Sequence, residues 1–292
     1  MKVHRTSSPF SRLLLAPRHQ TGRIRVYFWL VLTSATILAS QPLNATLILT
    51  YAGSTTAVNS TISDTAVIDF NALTTSGAGA YSNVTWTDPT LGNIGTIDQV
   101  YMQYANQYGA ANYTVGTSPT GYYPVQSDPP NGVGYSQAIP VTTLTLSTPS
   151  AYFGLWWSAG DAHNVLTFYN GNDPIAQYST TTLPGLLPDS YFGNPQNYRH
   201  DSGEPFAFLN FYALQGEQFT KVVLSNNSTA TGFESDNWTV RAKAYGYYPG
   251  EDPQNLPGVL VGTVPVPEPS TTTALGLSAL VIAGALASRR RV

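Results

Sequence analysis

Two carboxylates near residue 235 have a spacing that suits metal binding. Glu234 and Asp236 are two residues apart, so on a β-strand both side chains would lie on the same face. If the first and last strands pair, Asp69 and Asn71 would join them. Carboxylate and amide oxygens are the ligands that Ca²⁺ prefers. The pattern predicts a structural Ca²⁺ clamp on Asp69, Glu234 and Asp236; the alternative is a group of solvated carboxylates at a sheet end.

The residue types of a nucleophile with its base occur together at Ser158, Asp161 and His163. A catalytic triad usually draws these groups from separate elements that meet in space. Here all three share one short connection, and no G-x-S-x-G turn accompanies them. We therefore expect a polar turn in which Asp161 bonds to the backbone, and we assign no catalytic residue.

The remaining polar residues do not favour zinc chemistry or sugar hydrolysis. Residues 46–266 contain the two histidines His163 and His200, and the chain has no cysteine, so the usual zinc ligand sets are missing. Carboxylates occur in pairs at positions 201/204, 234/236 and 251/252. A glycosidase needs two carboxylates that face one cleft, and an acidic domain produces close pairs by chance. A glycoside hydrolase or lyase is the least favoured of the alternatives.

Aromatic side chains are the other candidates for binding. The chain contains 19 Tyr and 5 Trp, and exposed aromatic rings provide flat faces on which sugars stack. Because Trp156 and Trp157 are adjacent, a strand would direct one of them inward and the other outward. Trp157 and the Tyr122-Tyr123 pair predict a glycan-binding surface; the alternative is that these rings pack in the core.

The middle of the chain predicts an all-β fold that would position these residues. Short segments rich in β-branched and aromatic residues recur between Gly, Pro, Asn and Asp. The predicted strands are 47–51, 66–70, 84–86, 97–101, 141–146, 152–157, 165–169, 175–178, 206–212, 219–224 and 238–245. Asn170-Gly171 predicts a hairpin between two of them, and 109–140 reads as a surface excursion. We expect a single β-sandwich, similar to a jelly roll.

Charge is distributed unevenly along the chain. Nine of the 13 basic residues lie in the first 25 positions or at the C-terminus, whereas residues 46–266 contain four basic and 15 acidic residues, a net charge of −11. Such a domain lacks the clustered Lys and Arg that bind phosphate backbones. Nucleic-acid binding is therefore excluded as a function. Attraction of divalent cations is compatible with this charge.

The N-terminal segment has the order of a secretory signal. Basic residues precede an uncharged apolar run at 26–39, and small, turn-forming residues follow to Ala45. The run of about 14 residues is short for a membrane span of about 20. We predict a signal peptide over 1–45, with cleavage between Ala39 and Ala45, and therefore use of the general export machinery. A retained anchor and a misplaced start codon are the alternatives.

The C-terminal segment has a different order. Pro267-Glu268-Pro269 precedes an uncharged stretch from 271 to 288 that is apolar in its core, and Arg289, Arg290 and Arg291 follow at once. This order predicts a short transmembrane helix with a positive stop on the cytoplasmic side. A buried C-terminal helix of the domain is the alternative. The resulting division is 1–45, a β-sandwich over 46–262, and a C-terminal segment over 263–292.

These three C-terminal features resemble a PEP-CTERM sorting signal, which an exosortase reads in bacteria that export extracellular polysaccharide. The resemblance covers about the last 28 residues. It implies that a membrane-embedded exosortase recognises Pro267, Glu268 and Pro269, cleaves nearby, and releases or transfers the body to the cell surface. In that case Glu268 and the prolines would act as substrate residues.

Parts of the body resemble one group of exosortase-dependent surface proteins. Residues 152–169 are similar to the central motif of that group, and residues 232–238 to the closing strand of its jelly-roll domain. Residues 45–51 match a mature N-terminus of this kind. The resemblance implies a jelly-roll-like body and carries no established activity.

Together these features predict an exported, non-enzymatic surface or extracellular-matrix protein. Its precursor would be held in the inner membrane by the C-terminal helix. The body would be structural or adhesive and would associate with extracellular polysaccharide. The alternative is a lectin-like module whose glycan binding depends on Ca²⁺.

Overall fold

A computed structural model of the chain gives the course of the backbone through most of residues 47–264. The described residues are 47–73, 79–81, 83–104, 108–111, 122–127, 141–195, 201–214, 216–228 and 231–264. For 79–81, 103–104 and 122–127 only the backbone is described. The predicted signal peptide, the apolar stretch 271–288 and the PEP and Arg residues lie outside these ranges. Within them the helices are single turns, none of which is a candidate for a membrane span.

The described part of the chain is all-β, which confirms the predicted class. Three single-turn 3₁₀ helices, Thr180–Thr182, Pro184–Leu186 and Asp189–Tyr191, lie between two of the strands. The strands are β1 Leu47–Tyr51, β2 Ala66–Ile68, β3 Gly79–Tyr81, β4 Val84–Asp88, β5 Gly92–Asp98, β6 Val100–Tyr104, β7 Tyr122–Ser127, β8 Val141–Ser150, β9 Tyr152–Ser158, β10 Asn164–Asn170, β11 Asp173–Ser179, β12 Ala207–Ala213, β13 Phe219–Asn226, β14 Gly232–Arg241 and β15 Val259–Val264.

The strands form two antiparallel sheets. Sheet A has the order β15-β1-β12-β9-β14-β7-β6-β3, and β2 also pairs with β14. Sheet B has the order β11-β10-β13-β8-β5-β4. Alternate residues of strands from both sheets, such as Leu144, Leu155, Phe168 and Trp238, belong to one large cluster of buried side chains. This cluster is the main core, and the two sheets form a sandwich around it.

The register defines two ends of sheet A. At one end Leu47 pairs with Val264 and Tyr152 pairs with Arg241. We call this end the terminal end. The opposite end, where Ser158 pairs with Glu234, is the distal end. The chain passes directly from Ser150 in β8 to Tyr152 in β9, so the terminal ends of the two sheets coincide.

The predicted hairpin is confirmed. Strands β10 and β11 pair antiparallel, with Asn170 opposite Asp173, so Gly171 and Asn172 form the connection. Gly171 has a φ of 62°, a backbone conformation that glycine adopts without steric cost. The two aromatic and β-branched runs thus meet through the turn that the Asn-Gly pair indicated.

Two predictions about strands are wrong. The run 97–101 is not one strand: β5 ends at Asp98 in sheet B, and β6 starts at Val100 in sheet A. Gln99 between them has a φ of 59°, which turns the chain from one sheet to the other. The segment 109–140 is not only a surface excursion, because it contains β7, which lies between β6 and β14 in sheet A.

Candidate functional site

The two carboxylates that drew attention in the sequence lie on the outer face of sheet A. Glu234 pairs with Ser158, and Asp236 pairs with Trp156, across the β9–β14 ladder. The neighbouring Trp157 points the other way, into the main core. The prediction that Glu234 and Asp236 share a face is therefore confirmed. That face is covered: Trp156 belongs to a second buried cluster with Phe206 and Phe208.

Asp236 is held by backbone amides. Its Oδ2 accepts a hydrogen bond from the Ala111 amide at 2.9 Å, and its Oδ1 accepts one from the Asn237 amide at 2.7 Å. Burial raises the pKa of this carboxyl well above its usual range, and the charge of Asp69 raises it further, although both amide hydrogen bonds act in the opposite direction. Asp236 thus fixes the covering segment 108–111 to the sheet.

Glu234 is 5% exposed and faces other acids. Burial raises its pKa well above the usual range, and the negative charges of Asp161, Glu204 and Asp201 add to the effect. Its carboxylate fills the space that a side chain at Gly232 would need. A protonated carboxyl is the form that this environment favours.

The Ser158, Asp161 and His163 set does not form a catalytic arrangement. The Ser158 hydroxyl is fully buried and has no hydrogen-bond partner among the described residues. Asp161 Oδ1 instead accepts a hydrogen bond from the His163 amide at 2.5 Å. Asn164 accepts a hydrogen bond from the Trp157 indole and donates one to the Gly232 carbonyl, both at 2.7 Å. These contacts confirm the polar turn.

The three carboxylates of the predicted calcium clamp do not lie together in one group. Asp69 is exposed and accepts a hydrogen bond from the Asn71 amide at 3.2 Å. Asp69 raises the pKa of Asp236, whereas Glu234 is affected by a different set of acids. Among the described residues, no three His, Cys, Asp or Glu side chains form a group that could hold a metal ion. The clamp on Asp69, Glu234 and Asp236 stays a prediction without support from this geometry.

The structure also gives the positions of the aromatic residues that were predicted to bind glycans. Trp157 is fully buried, so it offers no face on which a sugar could stack. Trp156, the outward member of the pair, is also fully buried and donates its indole hydrogen to the Gly109 carbonyl at 2.9 Å. Tyr122 and Tyr123 open β7, which pairs with β6 and β14; their side chains lie outside the description.

A buried ion pair at the terminal end was missed from the sequence. Arg241 Nη2 lies 2.9 Å and 3.1 Å from the two carboxylate oxygens of Glu251, and its guanidinium lies over the Tyr248 ring at 4.8 Å. Burial raises the pKa of Glu251, but the hydrogen bonds from Arg241, Tyr248 and Gly246 outweigh it, and the net shift is downward. The scarcity of basic residues in the body was the only signal in the sequence.

Sheet B leaves its outer face open. Across five strands, cross-strand pairing aligns Tyr169, Lys221, Thr145, Thr96 and Thr85 in one row. The three threonines are exposed, and Lys221 Nζ lies 4.3 Å from the centre of the Tyr169 ring. We call the surface formed by this row of residues the open face. A parallel row contains Asp98, Thr143, Val223, Thr167 and Gln177.

Comparison with protein-family models gives one match. Residues 265–291 match the PEP-CTERM protein-sorting motif, in the segment where the sequence predicted it. No curated protein and no solved structure matches the chain significantly. The motif indicates an exosortase-dependent, exported surface protein and implies a precursor that is anchored in the membrane.

Proposed function

We propose that the exported body is a structural and adhesive, non-enzymatic component of the cell surface or extracellular matrix, and that it associates with polysaccharide. The observation that carries the proposal is the open face of sheet B. It presents in-register hydroxyl groups with one aromatic ring and one cation at its end. Hydroxyl groups donate and accept hydrogen bonds, which is the chemistry that sugar hydroxyls need.

The dimensions of the open face suit a polymer. Neighbouring strands lie about 4.8 Å apart, so a row across five strands is roughly 19 Å long. A polysaccharide chain laid across the strands would meet one side chain per strand. Each contact is weak, but repeated contacts along one polymer add through effective concentration.

The buried polar residues support a role without catalysis. Ser158, Glu234 and Asp236 all lie beneath covering segments, and Asp161 is engaged by the backbone. Asp236 connects the sheet to the segment 108–111, and surface contacts are left to exposed side chains such as Thr96 and Thr145.

Affinity electrophoresis through gels that contain bacterial extracellular polysaccharide tests the proposal on protein processed at its sorting motif. We expect Thr96→Ala/Thr145→Ala to weaken retardation several-fold. Thr56→Ala/Thr61→Ala, two exposed positions in the loop after β1, is the matched control and should migrate like the wild type. Equal retardation of the two double variants would overturn the assignment of the open face.

Addition of EDTA separates this proposal from a calcium-dependent lectin. We expect EDTA to leave retardation unchanged, because hydroxyl and aromatic contacts need no metal. Loss of binding in EDTA would favour the lectin-like alternative.

A further inference from the structure

The first and the last strand of the body both have their outer ends at the terminal end. Leu47, the first residue of β1, pairs with Val264, the last residue of β15. The sorting motif begins at the next residue, position 265. Whatever holds the C-terminal segment therefore holds the body by this end.

The connection to the membrane is short. Six residues, 265–270, separate Val264 from the start of the uncharged stretch at Thr271, and a fully extended chain covers at most about 3.6 Å per residue. The terminal end consequently lies within roughly 25 Å of the point where that stretch begins. In the anchored precursor this end is close to the bilayer surface.

Three exposed apolar side chains are found at the terminal end, and others, such as Val259 and Leu260, lie nearer the distal end. Leu91 lies in the β4–β5 turn, Leu214 follows β12, and Tyr247 lies in the loop after β14; they are 45%, 44% and 60% exposed. Lys243 Nζ lies over the Tyr247 ring at 4.4 Å. Tyrosine with lysine is the combination that suits the boundary between headgroups and acyl chains.

The charges differ between the two ends. Of the cations among the described residues, Arg241 and Lys243 lie at the terminal end, whereas Lys221 lies in the open face opposite Thr145 in the middle of β8. Carboxylates outnumber the cations there, so this end carries both signs with an excess of negative charge; they are Asp64, Asp88, Asp173, Glu217, Glu251 and Asp252. The described charges near the distal end are acidic: Asp98, Asp161, Asp201 and Glu204. Among the described residues, Lys243 therefore offers anionic headgroups a cation at the terminal end that the distal end lacks.

We propose that the terminal end is the surface by which the anchored precursor lies on the membrane, with Leu214 and Tyr247 in the lipid interface and Lys243 at the headgroups. The occupant of this surface is a phospholipid bilayer. The proposal rests on the membrane-anchored precursor and is independent of the association with polysaccharide.

The absence of cysteine from the chain allows a direct test. Leu214→Cys, Tyr247→Cys and, as the distal control, His163→Cys each receive one fluorophore in the full chain. The protein is reconstituted into vesicles of phosphatidylethanolamine and phosphatidylglycerol that contain a headgroup spin label. We expect quenching at 214 and 247 to exceed that at 163 at least threefold, and the difference to vanish in detergent. Equal quenching at the three positions would overturn the proposal.

A longer tether separates true contact from mere proximity. A flexible insertion of twenty Gly and Ser residues after Val264 lets the body leave the surface. If the terminal end binds lipid, the preference for 214 and 247 over 163 survives the insertion. Loss of the preference would show that the short connection alone holds this end near the membrane, and would overturn the proposal. All three labelled positions are exposed, so unchanged thermal unfolding is expected.

Discussion

Ser158 and Glu234 face each other across the β9–β14 ladder, and both are shielded from water. A hydroxyl for which the described part of the chain offers no partner thus lies on the residue paired with a carboxyl whose pKa is raised. The pair is buried within the fold, so it affects stability.

The free energy of unfolding should fall as the pH rises. Burial, together with neighbouring acids, raises the pKa of Glu234 and Asp236 well above the usual range, so the folded protein keeps protons that the unfolded chain releases. Their contribution is complete below the unfolded pKa of about 4, and it decreases by up to about 1.4 kcal/mol per pH unit per group above it. Urea unfolding between pH 4 and 8 measures this slope.

The variant Glu234→Gln should flatten that slope and unfold at higher urea than the wild type at pH 8, because it cannot ionise. Asp173→Asn, at an exposed turn position, is the control and should keep the wild-type slope. A wild-type protein equally stable at pH 5 and pH 8 would contradict the prediction.

Two buried serines should respond differently to removal of the hydroxyl. Ser158→Ala removes a group for which the described residues provide no partner and should be neutral or slightly stabilising. Ser235→Ala removes the acceptor of the Trp238 indole hydrogen, which is bonded at 2.9 Å, and should cost about 1–3 kcal/mol because the indole N–H is left unpaired. Chemical denaturation of both variants checks the pair; a larger loss for Ser158→Ala would show that its hydroxyl has a partner.

The ion pair between Arg241 and Glu251 should be costly to break from one side. Glu251→Ala leaves the fully buried guanidinium without its counter-charge. We expect a loss of about 3 kcal/mol, the low end for a broken buried pair, because Glu251 retains some contact with solvent. Asp252→Ala changes the adjacent, exposed carboxylate and should alter stability by less than about 0.5 kcal/mol. Equal effects of the two variants would refute a specific role of the pair.

The exosortase cut should lie beyond Val264. Residues 259–264 pair with β1, and Val264 is buried in the core, so this strand is not free to enter a protease as an extended chain. Intact-mass analysis of the mature surface protein should therefore show all of β15 retained. A mature C-terminus before Val264 would contradict this expectation.

Local patterns in the sequence predicted much of the fold because short strands and tight turns are determined by neighbouring residues. The β10–β11 hairpin is the clearest case, since Asn170-Gly171 specifies the turn. The corner at Gln99 could not be predicted in this way. The run 97–101 contains β-branched and aromatic residues typical of a strand, and only the assignment of its two halves to different sheets divides it.

The candidate site was predicted in part for the same reason. Because side chains alternate between the two faces of a β-strand, the spacing of Glu234 and Asp236 correctly predicted that they share one face. The same alternation also correctly predicted that Trp156 and Trp157 point to opposite faces, but the outward ring is buried as well. The outward ring is covered by segments far away in the chain, such as 108–111, and no local pattern reports which segment will cover a sheet.

The side-by-side placement of Leu47 and Val264 has a mechanical consequence while the chain is still held by its C-terminal segment. A load applied to the body pulls β15 along its own axis, with β1 as its neighbour. The hydrogen bonds of this ladder then share the force in shear instead of opening one after another. The connection to the anchor is thus arranged in the direction in which a β-ladder resists pulling best.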